Sequence, residues 1–185
     1  GERMKTSYKK GVLVWIDDNF LEHEFLKENN EIDKWQAIFG NFSKKIYRLL
    51  DLELKIMTNK SDFEAYLEVI SNSLDTYYYF IVDLSLPDTI GSEPEVINGL
   101  DIGVALKERQ HDFCFLSSSS SAGAEMQEMG LGSSDYYVKF DDSDLLPESL
   151  RHKILFSFRN NISWIELTAL KSFLHPSSNL LIPSA

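Results

Sequence analysis

Four points in this chain hold residue types that together suit the handling of a phosphoryl group. Asp17 and Asp18 stand side by side directly after the apolar run Gly11-Val12-Leu13-Val14-Trp15-Ile16. Asp83 closes a second run, Tyr77-Tyr78-Tyr79-Phe80-Ile81-Val82, and Pro87 follows it by four positions. Lys139 closes Tyr136-Tyr137-Val138, and Ser117 opens a series of five serines, Ser117 to Ser121, after Phe113-Cys114-Phe115-Leu116. Taken singly, each has a plain explanation: a solvated turn, a helix cap, or an incidental loop hydroxyl with Ser118 as a rival. Taken together they make a site. Three carboxylates in one place repel one another and raise at least one pKa unless a hard cation sits among them. Oxygen-only ligation by few side chains suits Mg²⁺, which keeps several waters and shares its shell with phosphate. Lys139 offers a point positive charge, and Ser117 or Ser118 a hydroxyl donor, for the oxygens of a phosphoryl group transferred onto Asp83 as nucleophile.

Such a site needs elements that end in one crevice. Continuous apolar runs bounded by turn residues are strands buried on both faces, the habit of parallel sheets. Their carboxyl ends open onto the crevice where α/β sheets bind ligands. Between the first two runs, the apolar spacing of Ile32, Trp35, Ile38, Phe39, Phe42, Ile46 and Leu49 predicts a helix over 31–50, with Asn30 or Asp33 as its cap. The stretch 20–29 is then an extra acidic segment near the crevice mouth. Leu52 to Thr58 alternates as a strand nearer an edge, and Ser61-Asp62-Phe63-Glu64 has capping-box form for a helix to about Asn72. The segment 87–98 is a loop by its Gly, Ser and Pro content, followed by an amphipathic helix over Gly99 to Gln110. Phe113–Leu116 and Tyr136–Val138 complete five strands. A weak short helix over 122–129 lies between them, and the last core helix runs from Leu145 to about Arg159, starting near Asp142 or Ser143. The alternation of strand and helix gives a doubly wound five-stranded parallel α/β sheet with helices on both faces. Residues 1–10 are a tail, 11–159 the domain, and 160–185 an extra C-terminal helix or linker.

With these residues in place, the sequence resembles a response-regulator receiver domain of bacterial two-component signalling, as a divergent member with insertions. The resemblance is carried by Trp15-Ile16-Asp17-Asp18-Asn19, by Asp83-x-x-x-Pro87, and by Gly99-Leu100-Asp101 at the opening of a helix. Ser117, Tyr136 and Lys139 add to it, with Lys139 trailing Ser117 by 22 residues. It spans roughly Gly11 to Arg159 and implies a flavodoxin-like sheet in the order 2-1-3-4-5. It also implies Asp83 as phosphoacceptor, with Mg²⁺ held by Asp17, Asp18, Asp83 and the backbone carbonyl of Ser85. Ser117 and Lys139 would bind phosphoryl oxygens. Tyr136, by itself a core-edge aromatic, would be the ring that follows Ser117 and switches a protein-contact surface. The implied partners are a histidine kinase or phosphotransfer protein in a phosphorelay, and an output domain or downstream protein. Two features depart from the family. Phe140 follows Lys139 where proline is usual, so the expected bond is trans with a shifted loop, or else a strained exception. The segments 20–29 and 88–98 are longer than usual.

Composition bounds the rest. The chain has 185 residues, 43% apolar and 12% aromatic, as expected of a globular domain with a substantial core. A net charge of −11 argues against direct nucleic-acid binding by this chain. Cys114 is the single cysteine and reads as a buried core thiol. No apolar run reaches membrane-spanning length, so the expectation is a cytoplasmic protein without membrane contact. His23, His111, His152 and His175 lack metal-like spacing. The apolar pattern of Ile154 to Leu174 is compatible with a homodimer. The expected role is a signalling domain with only self-phosphorylation and dephosphorylation chemistry, not an enzyme acting on other substrates. The alternative is a pseudo-receiver that signals by protein contact without phosphorylation. A haloacid-dehalogenase-like phosphohydrolase ranks behind both, because Ser85 stands where such enzymes need a second acid.

Overall fold

The computed structural model describes residues 8–21, 35, 38, 52–118, 123–132, 136–139 and 146–162. Five strands are present: β1 (Lys10–Ile16), β2 (Leu52–Met57), β3 (Thr76–Val82), β4 (Asp112–Ser117) and β5 (Tyr136–Val138). All are parallel, in the order β2-β1-β3-β4-β5. This is the flavodoxin-like order expected from the sequence. The helices are α1 (Lys60–Ile70), α2 (Val96–Glu108), α3 (Gly123–Glu128) and α4 (Glu148–Asn161), with a 3-10 turn at Asp18–Leu21.

Every residue of β3 is buried, and so are Gly11 to Ile16 of β1. The period-two geometry of a strand sends alternate side chains to opposite faces. Leu13, Trp15, Tyr77, Tyr79 and Ile81 accordingly pack on one face with Ile154 and Phe158 of α4 and with Trp35 and Ile38. Val14, Ile16, Phe80 and Val82 pack on the other with Phe63 and Leu67 of α1 and Leu100 and Leu106 of α2. Because both faces are covered, the central strands carry no polar alternation. At the edge, β2 alternates, with Glu53 and Lys55 exposed. Trp35 and Ile38 are helical and buried, in keeping with the helix read over 31–50. The other residues of that helix, the segment 22–29, Phe140 and its bond to Lys139, and 163–185 lie outside the described residues.

Several element ends differ from the sequence reading. Helix α1 begins at Lys60 rather than Ser61, because Asn59 is its cap: the Asn59 Oδ1 accepts from the Asp62 amide at 2.8 Å, while its Nδ2 donates to the Asp62 carboxylate at 2.9 Å. Helix α2 begins three residues before Gly99, at Val96. Gly99 therefore lies inside the helix, where a Cβ would stand 2.4 Å from the Leu84 Cα and carbonyl oxygen. The glycine permits a close crossing over the backbone that follows Asp83. Helix α4 starts only at Glu148, with Pro147 as its cap, and ends at Asn161. Proline disfavours helical geometry in the residue before it, so Leu146 stays outside the helix. At the termini, Tyr8 bridges Ile162, which is buried, so the described fold takes in residues from both flanking segments.

Candidate functional site

Asp17, Asp83 and Lys139 each sit one position past a strand and are held there by an extension of the parallel ladder. The Asp17 amide donates to the Met57 carbonyl, and the Asp83 amide to the Ile16 carbonyl, both at 2.9 Å. The Lys139 amide donates to the Ser117 carbonyl at 3.0 Å. Backbone pairing thus fixes where these side chains start, and the order β2-β1-β3-β4-β5 converges them at the carboxyl edge of the sheet. Asp17, Asp18 and Asp83 each offer a carboxylate oxygen, and these atoms lie within 4.8 Å of one another. Lys139 Nζ pairs with Asp17 Oδ2 and stands 3.3 Å from Asp83 Oδ2. The other oxygen of Asp17 accepts the Asn19 amide at 2.9 Å, which sets the 3-10 turn that carries Asp18.

The electrostatics are strained. Asp17 and Asp83 are 2% and 5% exposed, and an ionised carboxylate taken out of water costs several kcal/mol unless it is compensated. Burial first, and then the neighbouring Asp17 charge, push the Asp83 carboxyl up to about 7, against the opposing pull of Lys139. Asp18 is raised for the same two reasons, with Lys139 again opposing. Burial would lower the Lys139 ammonium, yet the charges of Asp17 and Asp83 prevail and hold it above its ordinary value. Among the described residues, Lys139 is the one cation paired with this group of three carboxylates. A group of oxygen ligands with unbalanced negative charge is what a divalent metal ion compensates.

Ser117 is buried at the end of β4, whereas Ser118 is exposed. Tyr136 lies beside Ser117: burial raises its hydroxyl pKa, the Ser117 side chain draws it down, and Asp83 adds an upward push. The Tyr136 hydroxyl oxygen is buried without a hydrogen-bond partner of good geometry among the described residues. Ser85 lies in the turn between Asp83 and Leu86, partly buried. Asp101 is not part of the carboxylate group and instead pairs with Lys60 at 3.1 Å.

The segment after Asp83 has anchors that sequence reasoning missed. Leu86 and Glu95 close it as a hairpin through two backbone hydrogen bonds of 3.3 and 3.0 Å. The buried Asn98 donates its Nδ2 to the Leu86 carbonyl at 2.7 Å, and the Gly99 amide donates to the Leu84 carbonyl at 3.1 Å. The amides of Lys60 and Ser61 donate to the carbonyls of Pro87 and Asp88 at 3.0 and 2.8 Å. The first turns of both α1 and α2 are therefore tied to the few residues that follow Asp83. A buried asparagine one residue before the glycine was the available signal for the α2 half of this arrangement.

In fold, the chain is similar to response regulators. The bacteriophytochrome response regulator AtBRR matches 84% of this chain and 95% of its own, at 17% identity and a TM-score of 0.46. The phosphorylated cyanobacterial phytochrome response regulator RcpA matches 82% of this chain and 91% of its own, at 13% identity and a TM-score of 0.46. The Mn²⁺-bound form of the response regulator Rcp1 matches 80% and 91%, at 12% identity and a TM-score of 0.38. Protein-family models and curated proteins give no match to the sequence. The flavodoxin-like strand order 2-1-3-4-5 implied by the resemblance is the order observed. That order and the geometry of the carboxylate site carry the functional reading.

Proposed function

We propose that this chain is a phosphoacceptor receiver domain of a bacterial two-component system. Asp83 accepts a phosphoryl group from a histidine kinase or phosphotransfer protein in the presence of Mg²⁺. The observation that carries this reading is the meeting of Asp17, Asp18 and Asp83 within 4.8 Å, with Lys139 on two of them. Asp17, Asp18 and Asp83, with the Ser85 carbonyl, would hold the metal ion. When bound, Mg²⁺ supplies positive charge that offsets the carboxylates and the phosphoryl oxygens. A carboxylate oxygen of Asp83 forms the new bond to phosphorus while the donor's bond to phosphorus breaks, and the donor keeps that electron pair. Lys139, already 3.3 Å from Asp83, neutralises the phosphoryl oxygens as they arrive. The Ser117 hydroxyl donates to one of them, and Tyr136 beside it follows that movement outward. The added charge biases a two-state element of the protein, and an output domain or downstream protein reads the result. In this role the chain works in the cytoplasm, performs only chemistry on itself, and turns over no small phosphate ester.

Intact-mass analysis after incubation with acetyl phosphate tests the proposal. The expected result is one phosphoryl group per chain with Mg²⁺ present, and none with a chelator or in Asp83→Asn. Absence of an adduct on a folded protein that binds Mg²⁺ would favour a pseudo-receiver acting by contact alone, and labelling of the Asn variant would remove Asp83 from its role.

A further inference from the structure

Helices α1 and α2 do not close fully on each other. An open groove of about 540 Å³ runs between them, with the half-buried Val104 and Ala105 as its accessible apolar floor and the buried Phe63, Leu67 and Ile102 beneath. Ion pairs stand at its two ends. Lys60 at the start of α1 pairs with Asp101 at 3.1 Å, and Arg109 just past α2 pairs with Glu68 at 2.8 Å and donates to the Leu67 carbonyl at 3.4 Å. The rim thus carries four carboxylates, Glu64, Glu68, Asp101 and Glu108, against two cations that are both engaged.

We propose that this groove docks a basic amphipathic segment of a partner protein, its apolar side chains over the floor and its Lys or Arg side chains toward Glu64 and Glu108. Helix-in-groove recognition uses an apolar seam for affinity and flanking charges for selection. Here the excess charge on the rim is negative, and the whole chain carries −11. That field draws a cationic partner in and repels a second copy of this chain, nucleic acid and anionic lipid alike. The docking stands whether or not Asp83 is phosphorylated.

The probe is a fluorescein-labelled synthetic peptide with Leu at helical spacing and Lys elsewhere, titrated against the full chain and followed by anisotropy. Saturable binding is expected, with little binding of the same peptide carrying Glu for Lys. Glu64→Lys combined with Glu108→Lys should weaken binding about tenfold. Glu53→Lys with Glu148→Lys makes the same charge change at exposed positions outside the groove and should alter binding by less than about twofold. The milder pair Glu64→Gln and Glu108→Gln, which avoids new repulsion with Lys60, should weaken it by about threefold. Equal weakening by the groove and off-groove pairs would reduce the binding to general charge attraction and overturn the proposal. So would self-association of the chain, seen by sedimentation, that the groove variants abolish, since the occupant would then be a second copy.

Discussion

In metal-free buffer at neutral pH, the Asp83→Asn variant is expected to be more stable than the wild-type protein, although it removes a residue held in a well-formed site. The reason lies in the crowding of charge. Burial and Asp17 together carry the Asp83 carboxyl from its ordinary 3.8 to about 7. At about 1.4 kcal/mol for each tenfold change in proton affinity, that amounts to about 4 kcal/mol of destabilisation once the group is ionised. Part of this is returned in the variant, because Lys139 keeps Asp17 but loses its second carboxylate. The net gain is expected at about 1–3 kcal/mol, or roughly 2–4 °C in melting temperature for each kcal/mol. The sign follows from proton uptake. Between about pH 4 and pH 7 the native wild type holds a proton on Asp83 that the unfolded chain has released, so this group's contribution falls as pH rises and is fully unfavourable above about pH 7. Asparagine has no such slope. Urea or thermal unfolding of both proteins across that range, with chelator, isolates Asp83 as the difference between the two curves. Adding Mg²⁺ at neutral pH should narrow the gap by stabilising wild type through binding. A difference that stays flat with pH, or a variant less stable than wild type above pH 7, would refute the claim that the three acids strain one another.

Other perturbations probe separate parts of the site and the fold. Lys139→Ala should slow phosphoryl incorporation from acetyl phosphate by about 100-fold while Mg²⁺ binding by calorimetry persists, and an unchanged rate would remove Lys139 from the chemistry. Gly99→Ala places a Cβ 2.4 Å from the Leu84 backbone, so a loss of about 1–3 kcal/mol is expected in urea unfolding, and an unchanged midpoint would contradict the close crossing. Asn59→Ala removes the α1 cap and should cost about 1 kcal/mol by the same measurement, whereas Ser61→Ala should cost almost nothing.

The strands were legible because β1 and β3 are covered on both faces, which forces unbroken apolar runs such as Val12 to Ile16 and Tyr77 to Val82. Their ends were legible for the same reason: the first carboxylate after an unbroken apolar run, Asp17 or Asp83, stands one position past the strand. The convergence of Asp17, Asp18, Asp83 and Lys139 then followed from the parallel order alone. Helix starts were harder to read. Ser61 has the form of a cap, but Asn59 takes the role because the amides of Lys60 and Ser61 are occupied by the carbonyls of Pro87 and Asp88, a contact distant in sequence. The start of α2 depends on the Leu86–Glu95 hairpin and on Asn98 reaching the Leu86 carbonyl, neither of which leaves a periodic trace. Pro147 was different, since the stop it imposes on Leu146 was written in the sequence and was outweighed by the apolar pattern of Leu145 and Leu146.

The most direct test of Asp83 as phosphoacceptor is to locate the acyl phosphate. After incubation with Mg²⁺ and acetyl phosphate, borohydride reduction converts a phosphorylated aspartate into homoserine, which peptide mass mapping reads at a single position. Homoserine is expected at position 83 alone. Homoserine at position 17 or 18, or at none of the three in a protein that stays folded, would contradict that role.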